Sequence, residues 1–597
     1  MAWFKSLRES LQHIRATLRL VWSVSRSMTV GLALLTMLAA VVPLAIGWGG
    51  KRIVDGILAH DRHQTLIWVA FELGAVFAQV TTQRSLSLIR GILGARLGVE
   101  VNVAILARAT AMSLRDFEDP EAYDSLTRAR REASSRPVAL VTEAFSLLQN
   151  AFTLVGWAAL LFRYSPLAAG LLVLAAIPST IAEMRTSKKM FRLRNWRSPE
   201  TRRLMYYEHV LANDEHAKEV KLFGLAALFL GRYQELAERF YDEDKKLAIR
   251  RAALSHGLSL LATLVFYGTY ASMAVGAAAN LLTLGSLTLY VTAFRSGQSS
   301  LSAVLGAIGS IYEHNLYMSN LFKFLDRPTV NVPEVATTLP TPAERDEKGI
   351  RFEGVSFTYE GKSAPALDDV SLFIPAGESV ALVGENGAGK TTFVKLLARL
   401  YEPTKGRILL DGRDLKTIDE VSLRSRLGVV FQDFAQYQLQ AEENVGVGSV
   451  AHLGDESRVD RAMVRGGARD VIDALPAKGK TQLGRWFKDG AELSGGQWQK
   501  IALARAFMRE EADVLVLDEP TAALDAKAEH AVFARFRELA EGRTTIVISH
   551  RFPTVRMADR IVVLEQGKVV EEGTHDSLVA AKARYAKMFE LQAEGYR

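Results

Sequence analysis

The sequence predicts an α-helical membrane-spanning half followed by a soluble α/β half, and three observations predict it. Long charge-free apolar runs are confined to roughly the first half of the chain. A polar segment with four prolines, residues 326–349, then breaks the pattern. Beyond it, short apolar runs alternate with glycine turns and helix-like stretches, as a sheet flanked by helices requires.

A chain of 597 residues exceeds what one core supports, so several domains are expected. Apolar residues make up 49 % beside 23 % charged ones, which fits an apolar part joined to an ordinary soluble part. The net charge of +7 suits either nucleic-acid binding or a membrane protein with basic inner loops. The absence of cysteine excludes disulfides, thiol catalysis and zinc–thiolate sites.

Residues 1–26 carry Lys5, Arg8, Arg15, Arg19 and Arg26 against Glu9 alone. Leu7, Leu11, Ile14, Leu18 and Val21 recur at helical spacing, so an amphipathic helix lying along the membrane is expected there. From Ser27 to Gly50 there is no charge. That run is too long for a signal-peptide core and lacks a small-residue cleavage site, so it reads as the first span.

A second span runs from about Gln64 to Gln83, interrupted only by Glu72. A charge in hydrocarbon is costly, so Glu72 should face the bundle interior, a cavity or a partner. It serves cargo or coupling, or it is a structural carboxylate near the outer surface. Residues 84–135 are charged and helix-like. Residues 144–162 and 164–182 are uncharged on either side of Arg163 and give spans three and four. A charged helical stretch, 183–251, follows.

From Ala252 to Phe294 no Asp, Glu, Lys or Arg occurs, a run too long for one helix. Residues 281–285 suggest a turn between span five, near 255–277, and span six, from about Ser286 to beyond Ser310. Arg295 lies inside span six, to snorkel or to meet an anionic cargo. Glu313 and His314 fall near its inner end, and no second ligand at useful spacing makes His314 a metal site.

Six spans is an even number, and the N-terminus and both long insertions are rich in Arg and Lys. Both ends and both insertions are therefore expected in the cytoplasm. The net charge is then explained without nucleic acid, and no nucleic-acid partner is expected. The predicted division is 1–26 amphipathic helix, 27–325 membrane domain, 326–349 linker and 350–597 soluble domain.

The soluble half is organised around Gly384-Glu385-Asn386-Gly387-Ala388-Gly389-Lys390-Thr391-Thr392, between the apolar run 379–383 and a helix-like stretch. Strand, glycine loop and helix together make a phosphate-binding loop, so the fold class of this half is an α/β P-loop NTPase. The glycines let backbone N–H groups curl around phosphates, Lys390 supplies a cation, and Thr391 offers a hydroxyl to Mg²⁺. ATP and Mg²⁺ are the expected ligands.

Tyr359 lies ahead of this loop, either to stack on adenine or to face a core. Residues 512–521, ADVLVLDEPT, form an apolar strand ending in Asp518 and Glu519, where buried acids need a cation or a proton-transfer task. Asp518 can hold Mg²⁺, and Glu519 is placed to polarise the attacking water. Gln432 follows another apolar strand and offers its amide to metal and water. His550 ends a third and is expected to sense the γ-phosphate.

Leu493-Ser494-Gly495-Gly496-Gln497 opens a helix and makes a second phosphate-binding surface. One chain then carries more phosphate-gripping surface than one nucleotide needs. Two domains facing head to tail resolve this, each nucleotide lying between one loop and the other chain's LSGGQ. Ala523, Leu524 and Asp525 would border that junction.

With these motifs in order, the sequence resembles the ATP-binding cassette transporters, of the exporter type with six spans ahead of one nucleotide-binding domain. The resemblance covers nearly the whole chain, and LSGGQ between the phosphate loop and the Asp518–Glu519 pair is its most specific mark. It implies a dimer that hydrolyses two MgATP and exports an amphipathic or hydrophobic substrate (peptide, lipid or drug) by alternating access, in the bacterial inner membrane. Both motifs are intact, so a homodimer is favoured over a heterodimer. Import on the same fold, lipid translocation and a cargo-free regulatory ATPase are the alternatives. Residues 116–129 and 213–224 resemble loops of antibiotic-peptide exporters, and no thiol peptidase is expected ahead of the first span. Arg485, Trp486 and Phe487 depart from the family's usual glycine-rich segment before LSGGQ.

Overall fold

The computed structural model describes residues 19–132, 136–164, 197–326, 348–519, 542–549 and 551–594, with scattered positions between 165 and 196. The chain divides into two compact units, residues 1–112 with 116–329, and residues 113–115 with 330–597. Most of the expected amphipathic helix and linker, much of span four, His550, and the Ala523–Asp525 turn lie outside the described residues.

The helices of the first unit are α1 (Arg26–Leu58), α2 (Arg62–Thr110), α3 (Arg136–Tyr164), α4 (Ser198–Ala212), α5 (Asp214–Leu222), α6 (Ala226–Ala278) and α7 (Leu284–Leu325). Two short helices, Leu114–Glu118 and Pro120–Glu132, lie between α2 and α3. Local chemistry sets where several begin. Ser25, Asp61, Asn213 and Thr283 each accept a hydrogen bond from the backbone of the first turn that follows, satisfying a donor the helix itself leaves open.

Hydropathy and helix length part company here. The second span and the charged stretch after it as far as Thr110 form one helix of 49 residues, and α6 runs unbroken for 53. At 1.5 Å per residue these rods are roughly 70–80 Å long, more than twice a bilayer's hydrocarbon thickness. The switch from apolar to charged sequence therefore marks where a rod leaves the membrane, not where it ends.

Four described helices, α1, α2, α3 and α6, are long and apolar enough to cross a membrane. The sixth expected span lies in α7. Many of the apolar side chains point outward: Leu73, Phe77 and Leu264 are 69 %, 74 % and 71 % exposed. A surface of that kind suits hydrocarbon.

Inside the bundle, Trp157, Leu161, Leu289, Ala293 and Phe294 form one buried cluster. Leu32, Leu86, Leu93, Leu97, Ile311 and Phe324 belong to another. Glu72 packs its Cβ toward Gly49 of α1, while Arg295 is exposed. Arg136 lies 3.8 Å from Glu313 and 3.3 Å from His314 Nδ1. Arg197, 4 % exposed, ties the start of α4 to α6 through Glu243 at 2.7 Å and Asp244 at 2.9 Å.

The second unit holds two sheets. Strands β1 (Gly349–Phe357), β2 (Leu367–Pro375), β4 (Lys405–Leu410) and β5 (Arg413–Asp414) form an antiparallel sheet in the order β2-β1-β4-β5. Strands β3 (Ser379–Val383), β6 (Leu427–Val430), β7 (Val514–Asp518), β8 (Thr544–Ile548), β9 (Arg560–Glu565) and β10 (Lys568–Gly573) form the other, in the order β10-β9-β3-β8-β7-β6. Its pairs are parallel except β9 with β10. Val380, Ala381 and Leu382 of β3 are wholly buried, which is why β3 reads as an unbroken apolar run.

Candidate nucleotide site and signature segment

The phosphate loop leaves the C-terminal end of β3 and enters α8 (Lys390–Leu397). Gly389 stands at the helix entrance with φ +105°, and a Cβ there would lie 2.5 Å from the Ala366 carbonyl oxygen. Conformation and space both demand glycine at this position. The Lys390 ammonium donates to the carbonyls of Gly384 at 2.7 Å and Glu385 at 3.0 Å. Burial pushes its pKa down, while Glu519 and Asp518 pull it back up. A desolvated ammonium held in a ring of backbone is well placed for a polyphosphate. Arg584 pairs with Glu385 at 2.7 Å and steadies the loop from the chain's C-terminal region.

Asp518 ends β7 with 1 % exposure. Its pKa is raised, chiefly by burial, with a hydrogen bond from Thr391 opposing and the Glu519 charge adding to the rise. Its Oδ2 is buried without a hydrogen-bond partner. An orphaned carboxylate oxygen beside a threonine hydroxyl is the hard oxygen donor set that Mg²⁺ takes. The residues fit that ion.

Glu519 adopts φ +48°, uncommon for a residue with a side chain. Its amide donates to Ile548 of β8 at 2.9 Å, so the turn is held by the sheet. Gln432 Nε2 donates to Glu519 Oε2 at 2.7 Å, although the two are 87 residues apart. Tyr359 is half-buried: its hydroxyl lies 3.2 Å from Thr392 Oγ1, and its ring meets Phe357 and Tyr401 edge-on. It thus adjoins the loop while also packing on the core.

The signature segment sits elsewhere in the domain. Ser494 caps α9 (Gly495–Phe507): its hydroxyl accepts from the Gln497 amide, and Gln497 Oε1 accepts from the Ser494 amide at 2.8 Å. Gly496 and Gln497 complete the first turn, while Ser494 and Gly495 are exposed. The reciprocal bonds define a rigid helix start with its remaining amides outward.

Two residues not singled out from sequence hold the segment after Gln432 in place. Arg505 of α9 donates to the carbonyls of Ala435 and Asn444, each at 3.0 Å, and covers the Tyr437 ring at 4.7 Å. Buried Asn444 donates to the Tyr437 carbonyl at 2.7 Å. The departing segment before LSGGQ is pinned to the same stretch, Trp486 N donating to Gln438 Oε1 at 2.9 Å. Gly484 has φ +88°, and a Cβ there would collide with the Gln438 side chain. Trp486 is left 85 % exposed.

Comparison with known proteins places the chain in a family. The family model described as ABC transporter matches residues 367–522. The chain is similar to the subtilin transport ATP-binding protein SpaT of Bacillus subtilis, 29 % identical, with 98 % of this chain and 95 % of that one covered. It is 31 % identical to an ATP-dependent lipid A-core flippase of Thiobacillus denitrificans, with 94 % of each covered. Among solved structures, a bacterial Atm1-family ABC exporter with ATP bound matches at TM-score 0.77 and 27 % identity, over 95 % of this chain and 98 % of that one. The chain belongs to the ABC transporters, of the exporter type, a membrane protein whose ATP-binding domain hydrolyses ATP to drive export.

Proposed function

We propose that this chain exports an amphipathic peptide as a homodimer in the bacterial inner membrane, with its nucleotide domains in the cytoplasm. The observation that carries the cargo class is the end-to-end match to a subtilin transport protein, which spans the membrane half as well as the ATP-binding half. Lipid translocation is the second reading, favoured by the full-length match to a lipid A-core flippase.

In the proposed mechanism the amides of 384–392 and Lys390 bind the phosphates, with Tyr359 beside the base. Thr391, Asp518 and Gln432 hold Mg²⁺, which when bound neutralises phosphate charge. Glu519, oriented by the Gln432 amide, aligns the attacking water. His550 senses the γ-phosphate. The partner subunit's Ser494 and the amides of its α9 close the other side. Most of the rate enhancement then comes from positioning and charge stabilisation.

The test uses wild type and Glu519→Gln in inside-out vesicles, following uptake of lantibiotic-like peptides and movement of labelled lipid. ATP-dependent peptide accumulation that vanishes in the variant supports the proposal. Lipid movement without peptide uptake transfers the assignment to the second reading.

A further inference from the structure

The elbow between α4 and α5 carries chemistry that nucleotide hydrolysis does not use. His209 lies in the last turn of α4, and Glu215 and His216 lie in the first turn of α5. The chain breaks its helix at Asn213, which is extended at φ −101°, ψ 139°. That break folds the two helix ends together. The two imidazole rings stand edge to face at 5.4 Å. One ligand atom from each of the three side chains lies within 4.8 Å of the other two.

The break itself is tightly specified. The Asn213 amide donates to the His209 carbonyl at 3.0 Å, and Asn213 Oδ1 accepts from the Glu215 amide at 3.2 Å. Asn213 Nδ2 also lies 3.4 Å from His209 Nε2. One residue thus bonds the backbones of His209 and Glu215, and His216 follows Glu215 directly.

From this geometry we infer that His209, Glu215 and His216 form a binding site for a borderline divalent transition-metal ion, with Zn²⁺ the representative. Two neutral imidazoles and one carboxylate select Zn²⁺, Ni²⁺ or Cu²⁺ over Mg²⁺ and Ca²⁺, which prefer sets made only of oxygen. Bonds of about 2.0–2.2 Å in a tetrahedron place ligand atoms roughly 3.4 Å apart. Rotation of the exposed His209 and Glu215 side chains supplies the remaining closure. Water completes the fourth position, because the elbow is open to solvent. Bound metal staples α4 to α5 across the break. This differs in place and donor chemistry from the Mg²⁺ set at Thr391 and Asp518.

The test uses the untagged, metal-stripped full chain in lipid nanodiscs, without nucleotide and with excess Mg²⁺. Equilibrium dialysis against Zn²⁺ alone is expected to give one ion per chain. Co²⁺ is expected to show the intense visible bands of a four-coordinate site. His209→Ala with His216→Ala should weaken Zn²⁺ binding at least tenfold, and Glu215→Gln by a smaller factor. Asp518→Asn should leave it unchanged. His216→Gln, a milder change, checks that loss of binding does not come from misfolding. The inference is overturned if wild type binds no Zn²⁺ under these conditions, if the histidine variants bind it as wild type does, or if Asp518→Asn removes it.

Discussion

The two glycine-bearing segments aimed at phosphate are built on opposite plans. The loop 384–392 is enclosed by its own domain. Lys390 is 6 % exposed, and Phe393, Val394 and Leu396 anchor the following helix in the core that holds Phe352. The segment 493–497 stands on a second core, where Leu493, Trp498 and Ile501 are buried, and it leaves Ser494 outside. Its hydrogen bonds close on themselves through Gln497. In the proposed mechanism the first segment grips its ligand unaided, whereas the second is a surface to which a ligand is brought. Binding and turnover should therefore be separable by mutation.

The largest effect is expected at Glu519. Replacing it with Gln keeps the hydrogen-bonding shape and removes the charge, so steady-state hydrolysis should fall about 100-fold or more while ATP binding survives. Lys390→Ala comes next. It removes the buried cation, and ATP affinity should drop roughly tenfold or more, as expected for a charge-assisted contact. Gly495→Asp gives the sharpest contrast. An acid at the outward helix start opposes an approaching phosphate, so hydrolysis should fall about tenfold while the affinity of the dilute chain stays within about twofold of wild type. Equal losses of affinity in Lys390→Ala and Gly495→Asp would break the distinction between the two segments. Labelled-nucleotide binding and phosphate release measure both quantities.

The two segments also differ from their surroundings in legibility. Each concentrates its chemistry in consecutive residues, so strand, glycines, lysine and threonine announce a phosphate loop without any tertiary knowledge. The Gln432–Glu519 hydrogen bond was foreshadowed only as two residue types at strand ends, because adjacency of β6 and β7 is a property of the sheet. Arg505 and Asn444 left no signal at all. They bond main-chain carbonyls, which every residue possesses, so nothing in composition reveals the partners. The long helices were legible as spans but not as rods, since hydropathy responds to the solvent and the backbone of α2 continues regardless. The His209 cluster was hidden for a related reason: positions seven residues apart are separated by about 10 Å along a continuous helix, and the three side chains meet only across the Asn213 break.

The smallest expected effect tests whether the enclosed plan has a cost. Asp518 is buried with one oxygen unpartnered, and its pKa is raised above the ordinary carboxylate value. The folded protein therefore holds this proton to higher pH than the unfolded chain does. Between the ordinary and the raised pKa, the native state binds more protons, so stability falls as pH rises through that window. Above the window the ionised group is a constant penalty. Asp518→Asn keeps the shape and removes the charge. At neutral pH it should raise the stability of the nucleotide domain by on the order of 1 kcal/mol, the scale of one buried unsatisfied polar group. The gain should vanish as pH falls below the ordinary carboxylate range, where wild type is also neutral. Thermal unfolding of both proteins without nucleotide or Mg²⁺, across the acid range, measures this difference. An Asn variant less stable than wild type at neutral pH would mean that Thr391 and Lys390 already compensate the charge, leaving the enclosed site without a cost in stability.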